Sequence, residues 1–439
     1  MAFRRKIEKR IKENLLDKTS PILLVDGARQ IGKSFIVREV GTKLFANFIE
    51  INLKDDELNE GLYKDIKDTS SFYLQLSSSF GDMLGNAGDT LVFLDEIQTY
   101  PQLISLLKPL KTDGRFRYIA SGSLLGVTMR HIFIPMGSLE EVKMFPMDFE
   151  EFLWANGVGD EVISFLRSSF ASLTPIPEGI HKAMMRRFRE YLISGGLPDA
   201  VREFAVDKNL YLTRHFQSQT LAYYKDDAGR YDELHSLKIR RIYDSLASYM
   251  QNKVKRVQCT KIENRKGVVV DDYYDEFDYL LASGCVLGAK AIANPVFPLL
   301  DSCAKNLIKL YYNDVGLLSG LLYKNSIKAI LNEDEHVNLG SVYETAAAME
   351  LSAHEHQLFY FDSKKVGEVD FLVNDYESLS PVPVEIKSGS DQFNFRAIPR
   401  LLDQNGAYRL KKGYVFGNKN VIEQDGPLIT MPIYMVAFL

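Results

Sequence analysis

The sequence has few cysteines and no long apolar run, and each shortage excludes a class of protein. The chain has 439 residues and three cysteines, Cys259, Cys285 and Cys303, which are odd in number and follow no metal-ligand spacing. We therefore predict no disulfide framework, no zinc site and a reducing compartment. No apolar stretch approaches the roughly 18 residues that a membrane-spanning helix needs. The first residues, MAFRRKIEKR, include basic side chains but no apolar signal segment, so we expect a cytoplasmic protein with no membrane partner.

The sequence also lacks an excess of charge of either sign. Lys and Arg number 53 and Asp and Glu number 58, which gives a net charge of −5, so no global positive field points to nucleic acid. Locally, residues 253–266 carry six basic residues against one acidic residue, and residues 271–278 read DDYYDEFD. Two interpretations stay open: a solvated loop beside an acidic helix face, or a local nucleic-acid patch.

The composition and the order of apolar segments predict an α/β fold at the N-terminus. Apolar residues make up 46% and charged residues 25%, as in ordinary globular domains, and the length suggests roughly three domains. In residues 1–146, short buried strands alternate with helices, which predicts a parallel sheet covered on both faces. The expected strands are PILLVD, FANFIEINL, TLVFL, RYIA and a fifth at residues 141–145.

The remaining chain divides into three further predicted segments. Residues 147–235 lose the strand pattern and predict helices, with a break at the sequence GGLP. Residues 236–304 suggest helix, basic loop, helix and a short strand, compatible with a small winged-helix-like module. Residues 305–439 return to mixed α/β, with a helix over 341–354 followed by the strands QLFYF, VDFLV and VPVEIK.

A phosphate-binding loop is predicted between the first strand and the helix after it, where the sequence reads GARQIGKS. The glycines let backbone N–H groups surround phosphate oxygens, and the next helix adds the positive end of its dipole. Lys33 is expected to reach the β- and γ-phosphates, and the Ser34 hydroxyl to bind Mg²⁺. The residues assigned to ATP binding are Gly27, Ala28, Arg29, Gln30, Ile31, Gly32, Lys33, Ser34 and Phe35.

A second motif, FLDEIQ, ends a buried strand about sixty residues later. Asp95 is expected to hold Mg²⁺, and Glu96 to polarise the attacking water as a general base; the alternative is two solvated acids at an ordinary strand end. Ser121 or Ser123, after the next strand, is a candidate contact for the γ-phosphate or the water, and we assign the catalytic role to Ser123; the alternative is a simple turn. The sequence does not identify an arginine finger, whose candidates are Arg115, Arg117, Arg130 or an arginine of another subunit.

Several motifs of this chain resemble those of prokaryotic AAA-type ATPases that carry a C-terminal restriction-endonuclease-like domain of unknown function. They are VDGARQIGKS, FLDEIQ, ASGS, FPMDFEEF and SGGLPDA, with YYNDVGLLSGLL and GSVYE further along. The resemblance covers essentially the whole chain and implies ATP binding by Gly32, Lys33 and Ser34. Many such proteins carry a Gly-Arg pair before the FPMDFEEF-like segment, whereas this chain reads MGSLEEVKMFP there and has no arginine.

Carboxylates near the C-terminus form a second candidate site. In VDFLV, Asp370 lies on the face opposite the valines, and in VPVEIK the side chains of Glu385 and Lys387 share one face. If the two strands are neighbours, these residues converge, and Glu344 on the predicted helix can join them. This is the layout of PD-(D/E)xK nucleases, which the resemblance also implies. In such a site the carboxylates would bind a second Mg²⁺ or Mn²⁺, and the lysine would position the attacking water. The alternatives are a retained fold that offers only a surface, and coincidence.

Three functions follow as hypotheses. The first is an Mg²⁺-dependent ATPase of AAA type whose nucleotide state is coupled to the C-terminal modules. The second is an ATP-gated protein that binds or cuts nucleic acid at the C-terminal carboxylates. The third is a nucleotide-dependent interaction or scaffold protein with a vestigial nuclease fold, which would capture another protein. An oligomer is compatible with all three.

Overall fold

The chain folds as two compact units. The computed structural model describes residues 2–86, 88–123, 125–128, 137–228, 233–252, 255–324, 326–332, 339–389 and 395–439. The N-terminal unit comprises Ala2–Phe145 with Ala282–Gly284, and the C-terminal unit comprises Pro146–Leu281 with Cys285–Leu439. Within the described ranges, no helix is both long enough and apolar enough to cross a bilayer.

The N-terminal unit alternates strands and helices, as the sequence predicts. Its strands are β1 (Ile22–Asp26), β2 (Asn47–Asn52), β3 (Thr90–Asp95), β4 (Arg117–Gly122) and β5 (Leu139–Lys143). Its helices are α1 (Ile7–Leu16), α2 (Lys33–Leu44), α3 (Leu53–Asn59), α4 (Thr69–Phe80), α5 (Pro101–Asp113) and α6 (Leu125–Thr128).

The five strands form a parallel sheet in the order β2-β3-β4-β1-β5. Every residue of β1 and of β3 is buried. Helices cover both faces of a parallel sheet, so the strands have no solvent-facing side and no alternation of polar and apolar residues. The predicted α/β parallel fold is therefore confirmed for this unit. All five strands end at the same edge, so Asp26, Asp95 and Gly122 lie at neighbouring strand ends.

One strand of the N-terminal sheet lies two residues earlier than the sequence predicts. Residues 141–145 were expected to be extended, whereas β5 runs from Leu139 to Lys143. It pairs with β1 at the sheet edge, and its residues are only partly buried or exposed. The sequence of β5 is polar and has little apolar alternation. The residues at which the strand begins and ends are therefore determined mainly by its pairing with β1.

The C-terminal unit begins with helices and ends with a large sheet. Its helices are α7 (Phe149–Ala155), α8 (Asp160–Ser172), α9 (Glu178–Ser194), α10 (Pro198–Asp207), α11 (Leu210–Ala228), α12 (Glu233–Gln251), α13 (Cys259–Ile262), α14 (Tyr274–Ala282), α15 (Val315–Tyr323), α16 (Ile327–Leu331), α17 (Gly340–Ala353) and α18 (Ala397–Leu402). Its strands are β6 (Val286–Ile292), β7 (Cys303–Tyr312), β8 (Phe359–Ser363), β9 (Gly367–Asp375), β10 (Ser380–Ile386), β11 (Gly413–Gly417), β12 (Glu423–Asp425) and β13 (Leu428–Pro432).

These strands form one mixed sheet in the order β12-β13-β11-β10-β9-β8-β6-β7. Strand β6 comes from the segment 236–304 that was expected to form a separate winged-helix-like module, yet it pairs with β8. The expected boundary between residues 304 and 305 falls inside β7, which pairs antiparallel with β6. Sequence patterns report local periodicity and do not show which distant strand will be the neighbour, so this continuity was not predicted.

A tight junction joins the helices of the C-terminal unit at the GGLP break. The Met147 N–H donates to the Gly196 carbonyl at 2.8 Å, and the Gly196 N–H donates to Asp314 Oδ2 at 2.6 Å. Asp314 is fully buried and also accepts from the Leu317 N–H at the start of α15. A Cβ on Gly196 would overlap the backbone of Met147, lying 2.7 Å from its nitrogen. Only glycine fits here because backbone atoms cannot move aside as a flexible side chain can.

We predict that Gly196→Ala destabilises the protein, because the added methyl group must displace the Met147 backbone. The expected loss is about 2–3 kcal/mol of unfolding free energy. Gly179→Ala is the matched control, since Gly179 lies in α9 and nothing is within 4 Å of its Cβ position, where alanine favours the helix. Urea unfolding followed by circular dichroism measures both variants. Equal midpoints for Gly196→Ala and Gly179→Ala would contradict the prediction.

Candidate nucleotide-binding site

The loop between β1 and α2 has the backbone of an anion cradle. Gly32 precedes the helix with φ 92° and ψ 23°, a left-handed conformation that glycine adopts without steric cost. The loop's Ile31 and Ala28 are buried, whereas the side chains of Gln30 and Phe35 are exposed. The first turn of α2 closes with the Ile36 N–H donating to the Gly32 carbonyl at 3.1 Å. The backbone N–H groups that precede this turn are free of helical hydrogen bonds and can donate to a phosphate group.

Lys33 is folded back into this loop. Its ammonium donates to the carbonyl of Gly27 at 2.8 Å and to that of Ala28 at 2.7 Å. Burial lowers the pKa of Lys33, and the nearby carboxylates of Glu96, Asp95 and Asp26 oppose that shift. The buried ammonium therefore lies in the loop close to three carboxylates, where it can form a charge-assisted contact with a phosphate group.

Asp95 links the two predicted nucleotide motifs. Its Oδ2 accepts from the Ser34 hydroxyl at 2.6 Å, and its Oδ1 accepts from the Ser121 hydroxyl on β4 and from the Glu96 N–H. Burial raises the pKa of the Asp95 carboxyl, and the two serine hydroxyls oppose this rise. The structure thus brings together both residues that the sequence assigned to Mg²⁺, although they are 61 positions apart.

Glu96 is held beside Ser123 by a residue that the sequence analysis missed. The Gln98 amide donates to Glu96 Oε2 and, at 3.2 Å, to the Ser123 hydroxyl, which itself donates to Glu96 Oε2 at 3.2 Å. Glu96 has a left-handed backbone with φ 56° and ψ 45°, a conformation that costs a non-glycine residue about 1 kcal/mol and is common at functional sites. The position of Gln98, two residues after Glu96 in FLDEIQ, was the available signal.

Asp26 is a second residue that the sequence analysis did not select, although it directly precedes Gly27. It is buried at the end of β1, and its Oδ1 has no hydrogen-bond partner among the described residues. Burial, together with the negative charge of Glu141, raises the pKa of Asp26 to about 6. Lys33 and Lys143 pull it in the opposite direction. Asp26 therefore places a titratable charge at the edge of the cradle.

The residues of the β1–α2 loop and of the end of β3 fit a nucleoside triphosphate and Mg²⁺. One hydroxyl and one carboxylate in contact, Ser34 and Asp95, are oxygen ligands of the kind Mg²⁺ uses, with phosphate oxygens and water completing its shell. The close approach at Gly27 leaves no room for a side chain, because a Cβ there would overlap the Met144 carbonyl of the segment after β5. The cradle is therefore built from backbone, as phosphate binding requires.

Two of the arginine-finger candidates are held away from this cradle. Arg115 lies over the Tyr73 ring at 4.0 Å, and Arg117 donates to the carbonyls of Asn14 and Asp17 at 2.9 Å. Both lie at the amino end of β4, opposite the strand ends that carry the loop. Arg130 is outside the described residues. An arginine of another subunit stays a prediction.

The C-terminal carboxylates also approach one another. Strands β9 and β10 are antiparallel neighbours, with Phe371 opposite Val384, and Asp370 Oδ2 accepts from the Ile386 N–H at 2.8 Å. Lys387 donates to Glu385 Oε1 at 2.7 Å. Burial, with the charge of Asp370, raises the pKa of Glu385 to about 8 and also raises that of Glu344. The convergence expected from the alternating strand pattern is thus present in the structure.

These carboxylates do not fit a metal ion as they stand. Glu385 is paired with Lys387, and Glu344 forms an ion pair with Lys255. In the part of the chain that the structure describes, no group of three or more His, Cys, Asp or Glu residues is arranged to hold a metal.

Comparison with protein families identifies the N-terminal unit. Residues 19–153 match the model of an AAA domain. This match agrees with the five-stranded parallel sheet and with the loop between β1 and α2, which fit the nucleotide-binding P-loop α/β fold. Two further segments, residues 185–328 and 339–434, match models that are each described as a domain of unknown function (DUF8612 and DUF4143). The restriction-endonuclease-like assignment of the C-terminal domain stays a prediction.

Two solved structures are distantly similar to this chain, and comparison with curated proteins gives no match. A Walker-type ATPase of Pyrococcus abyssi is 15% identical, with 73% of this chain and 96% of that chain covered and a TM-score of 0.41. The RuvB Holliday-junction branch-migration motor of Thermotoga maritima is 13% identical, with 65% and 89% covered and a TM-score of 0.30.

We predict that Asp26→Asn stabilises the protein at pH 8 and not at pH 4. The folded-state pKa of about 6 exceeds the ordinary value of 3.8, so the folded chain binds the proton more tightly than the unfolded chain does. The contribution of Asp26 to stability is therefore largest below pH 4 and is lost as the pH rises through 6. The difference of two pKa units corresponds to about 3 kcal/mol.

Urea unfolding of wild type and Asp26→Asn at pH 4 and pH 8 measures this difference. Asp89→Asn is the matched control, because Asp89 is an exposed acid just before β3. A gain for Asp26→Asn that is the same at both pH values would show that the carboxyl does not titrate between them.

Proposed function

We propose that this protein is an Mg²⁺-dependent ATPase of AAA type, with the nucleotide bound between the β1–α2 loop and the end of β3. The observation that carries the proposal is the hydrogen bond from Ser34 to Asp95, which joins the two motifs at one edge of a parallel sheet. The AAA match over residues 19–153 supports the same function.

The roles of the side chains follow from their positions. The loop backbone and Lys33 bind the phosphates, with the ammonium leaving the Gly27 and Ala28 carbonyls for the anion. Ser34 and Asp95 would hold Mg²⁺, which would neutralise the negative charge of the phosphates. Glu96 accepts the proton of the attacking water, and Gln98 and Ser123 orient its carboxylate. The Ser123 hydroxyl, which contacts Glu96, can also donate a hydrogen bond to the γ-phosphate.

The proposal includes coupling between nucleotide state and the rest of the chain. Residues 282–284 belong to the N-terminal unit, whereas the chain on both sides of them belongs to the C-terminal unit. We propose that this segment, which follows α14 and precedes β6 in the chain, couples the nucleotide state to the C-terminal unit. Binding or cutting of nucleic acid, capture of a partner protein, and assembly into an oligomer stay predictions.

We predict that Lys33→Ala weakens ATP binding by about 30-fold or more, equivalent to about 2 kcal/mol, because a charge-assisted contact to the phosphates is lost. Isothermal titration with Mg-ATP measures the affinity. Lys43→Ala is the matched control, since Lys43 lies on the same helix, is exposed and pairs with Glu39. Equal affinity of Lys33→Ala and Lys43→Ala, with both variants folded, would refute the assigned site.

We predict that Glu96→Gln binds ATP as the wild type does but hydrolyses it at least about 100-fold more slowly, because an amide cannot accept the proton of water. Phosphate release at saturating Mg-ATP measures turnover, and titration confirms binding. Glu60→Gln, at an exposed acid in the same unit, is the control. Turnover of Glu96→Gln within a few-fold of the control would remove Glu96 from the mechanism.

A further inference from the structure

A buried arginine near the start of the chain contacts the backbone of the phosphate-binding loop. Arg5 lies just before α1 and is only 7% exposed, whereas its neighbour Arg4 is exposed. The Nη1 of Arg5 donates to the Ile31 carbonyl at 2.9 Å, and its Nη2 donates to the Phe145 carbonyl at 2.7 Å. Burying a guanidinium costs free energy unless its donors are satisfied, so these two carbonyls hold the side chain at a defined position.

The carbonyl that Arg5 contacts at Phe145 belongs to a segment that is itself bonded to the sheet. Strand β5 pairs with β1, and directly after β5 the Met144 N–H donates to the Asp26 carbonyl at the end of β1, at 2.7 Å. One hydrogen bond of the guanidinium therefore rests on this sheet framework, and the other reaches Ile31 inside the loop. Arg5 thus connects the loop to a rigid part of the N-terminal unit.

The contact at Ile31 fixes the orientation of one peptide group in the loop. A peptide group is planar and trans, so its carbonyl and its N–H point in opposite directions. The Ile31 carbonyl points to Arg5, and the N–H of the same peptide group belongs to Gly32, so that N–H points away from the guanidinium. Gly32 has φ 92°, and glycine accepts either sign of φ. The backbone alone therefore does not prevent this peptide group from flipping.

We propose that Arg5 is a positioning residue for nucleotide binding, which orients the Gly32 N–H toward the phosphates. Phosphate loops bind their anion largely through backbone N–H groups, and a carbonyl oxygen turned to the same place would repel it. Arg5 acts through the loop backbone and leaves the hydrolytic step to Glu96. This role rests on the proposed function, because it requires that the loop bind phosphate.

Titration calorimetry with Mg-ATP and with Mg-ADP tests the role in the full-length protein. Arg5→Met removes both donors, keeps an apolar stem, and is expected to weaken the binding of each nucleotide about 10-fold, as for the loss of one hydrogen bond. The two losses should be equal, because ATP and ADP share the α- and β-phosphates that the loop N–H groups contact. The KM for ATP should rise, while kcat at saturation stays within about 3-fold of the wild-type value, as for an interaction equally strong in ground and transition states.

Two matched controls separate this role from effects of stability and of charge. Arg117→Met removes a guanidinium that donates to the carbonyls of Asn14 and Asp17 near the amino end of β4. It should lower the urea midpoint and leave both nucleotide affinities unchanged. Arg4→Met removes the same charge from the exposed position beside Arg5 and should bind both nucleotides as the wild type does.

Arg5→Lys provides a conservative variant, since it keeps a donor and the charge but not the planar fork. Its affinity should lie between those of wild type and Arg5→Met, and it replaces Arg5→Met if that variant does not fold. Unchanged affinity in the folded Arg5 variant, or an equal loss in Arg117→Met or Arg4→Met, would overturn the proposal. A loss confined to Mg-ATP would also overturn it, because the guanidinium would then act at the γ-phosphate.

Lys33→Ala in the same titration distinguishes a failure of this role from a failure of the proposed function. If Lys33→Ala binds weakly while Arg5→Met binds as the wild type does, only the role of Arg5 is wrong. If neither variant loses affinity, the nucleotide site itself is wrongly assigned, and the role of Arg5 falls with it.

Discussion

The hydrogen bond from Ser34 to Asp95 is the contact on which the candidate nucleotide site depends. It exists because β1, β4 and β3 are parallel neighbours whose carboxyl ends meet at one edge. The Ser121 hydroxyl on β4, between the two motif strands, completes the connection by donating to the other oxygen of Asp95. The sheet therefore sets the distance between the loop that binds phosphate and the acids that would act on it. Burial of all three strands keeps that distance fixed.

The C-terminal unit also buries several carboxylates close together, and here lysine side chains balance their negative charge. Four acids are brought together by α17, β9 and β10, and Lys309 on β7, Lys387 directly after β10 and Lys255 balance their charge. Buried ion pairs of this kind add little net stability, because each group loses its hydration, but they penalise any arrangement that separates the partners. The ion pairs thus favour the arrangement in which residue 255, α17 and the sheet lie together.

The parts of the fold with strong local signals could be predicted from the sequence. Strands β1 and β3 are short apolar runs followed by motif residues, and the alternation in VDFLV and VPVEIK correctly placed Asp370 and Glu385 where they can meet. Contacts between distant segments could not be predicted in this way. The pKa of Asp26 is raised because the folded sheet buries its carboxyl group. Lys255 forms its ion pair with Glu344, which lies 89 positions away in the sequence. No local pattern contains either fact.

The path of β7 has a practical consequence for anyone who divides this chain for expression. A fragment starting at residue 305 would begin within that strand and would lack β6, which lies between β7 and β8. One starting at residue 339, where the last family model begins, would lose both strands and leave β8 without its neighbour β6. A strand edge that loses its partner can pair with other chains, so we expect such fragments to aggregate more readily than the full chain.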